Sequence, residues 1–302
     1  MTTNATSHVS REMRALQRAV KAIVLRELPG GGFGYSDAGT FSPEATAWAV
    51  MALTASEKHR DIAQRACDRL AACQLSDGRV SAVNGFDAAA WPTALCILAW
   101  KCAQGYRQPL DDGLRFLLSF KGRHRAKGAH SPAGHDTSIV GWPWIERTHS
   151  WIEPTCISML ALKANGHNDH PRTRQAARMV MDRQLSGGGW NYGNTAVFGQ
   201  KLLPIPENTG QALCALNGLA GRTSVELSLN YLSRCMGSVR TPMALAWMLH
   251  GLGMWSQLPP QWERTVVESL ALQKRYGPFD TVLLSQLVTV YYTGARLISI
   301  LV

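Results

Sequence analysis

The chain has 302 residues, 46% of them hydrophobic and 17% charged, with a formal net charge of +10. That composition can fill a core, and it excludes a disordered chain, for which charge is too sparse. It also excludes a conventional membrane-spanning one, because no stretch of about 20 residues is apolar enough. Seven cysteines without a CxxC spacing make an odd count, read as reduced thiols rather than a disulfide framework.

The N-terminal MTTNATSHVSREMRALQ lacks the apolar core of a secretory signal, so a cytoplasmic location is expected. Along the chain, two kinds of helix alternate. Amphipathic helices are predicted over 11–28, 59–73, 110–121, 171–184, 224–235 and 260–273. In the fourth, Ala176, Met179 and Val180 share one face while Arg178 and Arg183 point elsewhere. Each is followed by a helix that is apolar nearly all round: EATAWAVMAL from Glu44, WPTALCILAW from Trp91, EPTCISMLAL from Glu153, ENTGQALCAL from Glu207, RTPMALAWML from Arg240 and FDTVLLSQLV from Phe279. Such helices are surrounded by protein. Ser42-Pro43, Glu153-Pro154, Thr241-Pro242 and Asp280 supply start signals. No alternating strand pattern appears, so the expectation is an all-α fold. Six amphipathic helices would form an outer ring around six apolar ones, in a single domain over 1–302. A tryptophan-rich insertion spans about 121–152. Within it, Lys121, Arg123, Arg125 and Lys127, with His124 and His130, read as a solvated basic loop or an anion site.

A second repeated element joins amphipathic to apolar helix. Gln184-LSG-Gly188-Gly189-Trp190 has the form Q-x3-G-x-W. Gln74-LSD-Gly78-Arg79-Val80 keeps the Gln and Gly, Gln273-KRY-Gly277-Pro278-Phe279 puts Phe for Trp, and Glu27-LPG-Gly31-Gly32-Phe33 puts Glu for Gln. Gly can end the helix in a left-handed conformation, the aromatic can plug the seam between repeats, and the amide can bond a helix end. Q-x3-G-x-W followed by a T-x-x-A-L helix resembles the repeat of squalene cyclases and protein prenyltransferases, and the resemblance covers essentially the whole chain. It implies an α/α toroid of about six helix pairs. The active cavity would open at the N-terminal ends of the inner helices, where Glu44, Trp91, Glu153, Glu207, Arg240 and Asp280 fall.

The chemistry of that family is only partly present. Where the D-x-D-D acid of the cyclases would stand, the chain reads Trp151-Ile152-Glu153-Pro154 and Ile205-Pro206-Glu207-Asn208, one carboxylate in each. The Asp/Cys/His set that holds zinc in prenyltransferases is missing, so neither a metal nor another cofactor is expected. Candidate catalytic groups are Glu44, Glu153, Glu207 and Asp280, either an acidic ring or simple complements to helix dipoles. Candidate substrate-binding residues are Trp91, Trp142, Trp144, Trp151, Trp190 and Tyr192, lining a cavity or filling seams, with His149 as an orienter of Glu153 and Lys201 as a diphosphate contact.

The leading expectation is therefore a toroid that binds a hydrophobic small molecule, an isoprenoid or similar lipid, in a central cavity. It would be either an atypical cyclase- or prenyltransferase-like enzyme, without the usual D-x-D-D acid and zinc site, or a toroid that has lost the chemistry. The apolar C-terminal tail, with Leu297, Ile298, Ile300, Leu301 and Val302, is expected to close the ring against the first repeat, with peripheral membrane contact as the alternative, and a nucleic-acid partner is not expected. Two rivals stand beside this reading: a non-catalytic toroid that binds a protein or peptide through its tryptophan-rich insertion, and a carbohydrate-active α/α barrel with paired carboxylates. A deep aromatic pocket favours lipid, a filled barrel favours a scaffold, and an open groove with carboxylates about 5–10 Å apart favours a glycosidase.

Overall fold

The computed structural model describes residues 2–126, 128 and 133–301, with side chains from residue 12 onward. Lys127 and His130 of the basic stretch and the terminal Val302 lie outside the described residues. The fold is all-α: α1 (Thr2–Val24), α2 (Pro43–Ala55), α3 (Arg60–Ala72), α4 (Pro92–Ala103), α5 (Arg107–Ser119), α6 (Ile152–Ala164), α7 (Pro171–Asp182), α8 (Pro206–Leu216), α9 (Arg222–Cys235), α10 (Pro242–Met254), α11 (Trp262–Ala271), the single turn α12 (Gln273–Tyr276) and α13 (Thr281–Tyr292). The one sheet among the described residues is a two-residue antiparallel hairpin, β1 (Ala196–Val197) with β2 (Gln200–Lys201), in the segment before α8.

The alternation expected from hydropathy is present. Helices α2, α4, α6, α8, α10 and α13 bury nearly every residue, whereas α3, α5, α7, α9 and α11 bury one face. The buried helices touch in sequence order: α2 meets α4, α4 meets α6, α6 meets α8, α8 meets α10, α10 meets α13, and α13 returns to α2. Each of α3, α5, α7, α9 and α11 packs between the two buried helices that flank it in the chain. One cluster of buried apolar side chains runs from Leu16 to Leu301.

Prolines open four buried helices at the first position, Pro43, Pro92, Pro206 and Pro242. Their missing N–H lies among the donors that have no helical partner anyway. Ser42 and Asp280 cap as expected, accepting the N–H groups of Ala45 and Leu283. At α6 the expectation is off by two residues. The helix begins at Ile152, with Trp151 as the flanking residue and Pro154 inside the first turn.

What registers the repeats is a threonine. The hydroxyl oxygens of Thr46, Thr93, Thr155 and Thr209 accept the backbone N–H groups of Phe33, Val80, Trp142 and Trp190 at 2.8–3.0 Å. The partners are 13 residues apart in the first three repeats and 19 in the fourth, where the hairpin is inserted. Thr281 instead donates to the Gly34 carbonyl at 2.7 Å, joining the last buried helix to the first repeat. The linker Gln or Glu reaches the next amphipathic helix: Glu27 pairs with Arg65, Gln74 donates to the Pro109 carbonyl, and Gln184 donates to the Ser228 hydroxyl. Gly78 and Gly188 have φ of +92° and +87°, and a Cβ there would lie 2.2 Å from Asp112 O and 2.5 Å from Leu227 C. Glycine is therefore required twice over, by conformation and by the closeness of the neighbouring helix.

Two buried arginines of the α7 region hold the insertion. Arg172 lies 4.0 Å over the Trp142 ring and donates to the Phe120 and Gly141 carbonyls. Arg183 donates to Ser150 O and to His149 Nε2. Burial pushes both guanidinium pKa values down to about 10, which leaves them charged at neutral pH. At the C-terminus, Leu297 and Leu301 are buried and their one-turn helix packs on α2. All seven cysteines are free. No helix among the described residues is long and apolar enough to cross a membrane.

Candidate functional site

Glu44, Glu153 and Glu207 each occupy the second position of α2, α6 and α8, and Asp280 caps α13. Equivalent positions in a cyclic succession of helices should bring these groups together; Glu44 and Glu153 line one cavity, and Glu153 lies within the field of Glu44 and Glu207 and Glu44 within that of Asp280. Burial pushes the Glu153 carboxyl up to about 7, and the nearby Gln211 amide offsets part of the rise while the charges of Glu44 and Glu207 add to it. The residue is half-buried, with its carboxyl surrounded mostly by protein. Glu44 is raised, chiefly by burial; the Tyr35 hydroxyl, donating to its Oε2 at 2.5 Å, lowers it and Asp280 raises it. Burial also raises Glu207. Among the described residues, no ion pair reaches any of these four acids.

Beside the acids lies a small cavity lined by Glu44, Glu153 and the indoles of Trp48, Trp91, Trp144 and Trp247. Trp91 meets Trp144 edge-on at 5.1 Å, and Trp48 meets Trp247 edge-on at 5.6 Å. The cavity volume is about 20 Å³. That is room for about one water molecule. Gln286 of α13 also lines it; this side chain is 3% exposed and its Oε1 has no hydrogen-bond partner.

The other sequence candidates lie elsewhere. Trp142 and Trp190 fill seams, each fully buried with its indole N–H on a carbonyl of the preceding amphipathic helix, Leu117 or Val180. Trp151 stands against His149, ring centroids 6.2 Å apart. His149 does not orient Glu153. It accepts from Arg183 and faces His135 Nε2 at 3.3 Å, and burial with the Arg183 charge lowers its pKa to about 4. Tyr192 and Lys201 are exposed, Lys201 on the hairpin. Sequence reasoning missed Trp48, Trp247 and Gln286. Trp48 lies one helical turn beyond Glu44, a spacing that puts both on one face.

Loops leading into the buried helices surround this acidic end. They expose Val83 and Phe86 before α4, Ile145 before α6, and Tyr192, Phe198, Leu202 and Leu203 before α8; Phe198 and Leu203 are each 82% exposed. The loops also join one another, Glu146 N–H to Ala88 O and Gly134 N–H to Ala196 O.

No family model matches the chain, and no curated protein matches it. A solved structure, that of a protein from Actinoplanes, is similar, with 15% identity over 95% of this chain and 99% of that one and a TM-score of 0.58. A likeness at that identity speaks for the fold alone.

Proposed function

We propose that the chain is a single α/α toroid of the terpenoid-cyclase and protein-prenyltransferase kind, and that it binds a peptide or protein segment at its acidic end rather than catalysing a reaction. The cyclic succession of buried helices and the repeated threonine bond support the architecture. The observation that carries the binding reading is the cavity volume of about 20 Å³. Sites that enclose an organic ligand run to roughly 300–1,000 Å³, so neither an isoprenoid chain nor a sugar ring has room here. The surrounding loops offer the contact surface instead, since exposed apolar patches rimmed by polar residues mark interaction sites.

A second reading keeps the isoprenoid or lipid ligand, with peripheral membrane contact, and is favoured by Glu153. A carboxyl with a pKa of about 7 is partly protonated at neutral pH, as a general acid must be, and indole faces stabilise developing positive charge. This reading requires the tryptophans to part.

Selection of random peptides on the protein, counter-selected against a Phe198→Ser/Leu203→Ser variant, tests the first reading. Peptides that bind the wild type and lose about tenfold or more on the variant are expected. Native mass spectrometry of the protein purified from its own host decides against it if a stoichiometric isoprenoid is retained.

A further inference from the structure

We propose that the cavity beside Glu44 and Glu153 receives a primary ammonium group, entering head first with its carbon stem leaving through the acidic end. This deepens the reading of that end as the binding site and rests on it. Three observations point the same way. The first is charge. In a protein of net charge +10, Glu44, Glu153 and Glu207 share one end with Asp280, and no ion pair of the described residues reaches them. Glu44 and Glu153, lifted by burial and by neighbouring carboxylates, are relieved by a cation placed beside them.

The second is an orphan acceptor. Gln286 is one of the residues that line the cavity, and its Oε1 is buried and unpartnered. Buried polar atoms in folded proteins are nearly always hydrogen-bonded, so this one awaits a donor. An ammonium head carries three donors and no acceptor. Glu44, Glu153 and Gln286, which line the cavity together, carry the side-chain oxygens that would accept from it.

The third is shape and lining. A volume of about 20 Å³ takes one nitrogen-sized head group. It does not take a guanidinium or a trimethylammonium. The remaining walls are Leu95, Pro154, Ile157, Met243 and the indoles of Trp48, Trp91, Trp144 and Trp247; aromatic faces attract cations, and the bulk of these side chains excludes competing water. A coordinated metal is a poorer match, because no group of three His, Cys, Asp or Glu among the described residues could hold one. A lysine side chain of a bound peptide and a free alkylamine share this chemistry, and the test separates them.

Indole N–H signals in NMR spectra of the full chain are followed during titration with n-butylammonium, 1-butanol, tetramethylammonium and potassium chlorides or their solutions at matched ionic strength. Saturable shifts with n-butylammonium are expected, with weaker or no saturation for the other three. Glu153→Gln and Gln286→Leu should each weaken n-butylammonium binding about tenfold or more while leaving the spectrum of a folded protein. Equal response to 1-butanol or to potassium would overturn the proposal, as would the absence of saturation. Lysine-to-norleucine exchange in any selected peptide supplies the second arm. Peptides that bind through the loops with no lysine requirement would sink the ammonium inference and leave the binding reading standing. Saturation by n-butylammonium with no peptide selected would do the reverse, favouring a free amine.

Discussion

The seams between repeats and the acidic end of the buried helices are built from the same residue types, yet they treat buried polarity in opposite ways. At the seam around Trp142, the backbone N–H is taken by Thr155, the indole N–H by Leu117 O, and the ring face by Arg172. At the acidic end, a few residues along the same α6, the half-buried Glu153 lies near two other carboxyls with no ion-pair partner among the described residues, and Gln286 Oε1 bonds nothing. Both regions hold tryptophans. In the seam the indole N–H and the backbone N–H of Trp142 are both hydrogen-bonded, although the Nε of the stacked Arg172 is not, and removal of such an indole should destabilise the repeat. At the acidic end the indoles wall a space whose polar groups remain unmet. Polar groups fully satisfied by the chain specify the fold, while unsatisfied ones are where a ligand gains most.

Four measurements break or sharpen this contrast. The largest effect is expected at the fully buried Trp190, where Trp190→Ala should lower unfolding free energy by about 3–5 kcal/mol in denaturant titration. A loss below about 1 kcal/mol would mean that the seam is not closed. Next comes Thr155→Val, which keeps the shape and leaves the Trp142 N–H buried without its acceptor. A loss of about 1–3 kcal/mol is expected, and a neutral result would reduce the repeated threonine to a packing residue.

At the acidic end the sign reverses. The Glu153 carboxyl has a folded pKa of about 7 against an ordinary 4.5, so the folded state holds its proton more tightly. Its contribution is most favourable below pH 4.5 and is lost as pH rises from there through 7. Glu153→Gln should therefore stabilise the protein by about 1–3 kcal/mol at pH 8 and change little at pH 4.5. Melting curves of both proteins across that range check it; a variant less stable at pH 8 would show that the carboxylate is already compensated. The smallest effect belongs to Lys201, exposed on the hairpin. Lys201→Ala should stay within about 0.5 kcal/mol, and a larger loss would place the hairpin among the structural elements.

Much of the architecture was legible beforehand because helix burial is written in local periodicity. Helices apolar all round, such as EPTCISMLAL, had to be surrounded, and the alternating amphipathic ones had to cover them. The equivalence of Glu44, Glu153 and Glu207 followed from the same register. What the sequence left open was which aromatics fill seams and which line a cavity. Trp142 and Trp144 are two residues apart, yet one fills a seam and the other walls the cavity, and no periodicity distinguishes them in a loop. His149 likewise could pair with Glu153 four residues on, whereas Trp151 is extended, the helix starts only at Ile152, and Arg183 takes the imidazole.

The amino-acid sequence by itself determined which segments are helices, which of them are buried, and that a threonine and a linker aromatic recur in step with them. These are local properties, set by side-chain hydropathy and by the conformations open to Gly and Pro. Only the tertiary structure decided that α13 returns to α2, that four tryptophans leave about 20 Å³ between them, and that Glu153 lies within the field of Glu44 and Glu207. Cavity volume and carboxyl pKa depend on atoms from helices far apart in the chain, summed over distances of a few ångströms, and no local pattern encodes that sum.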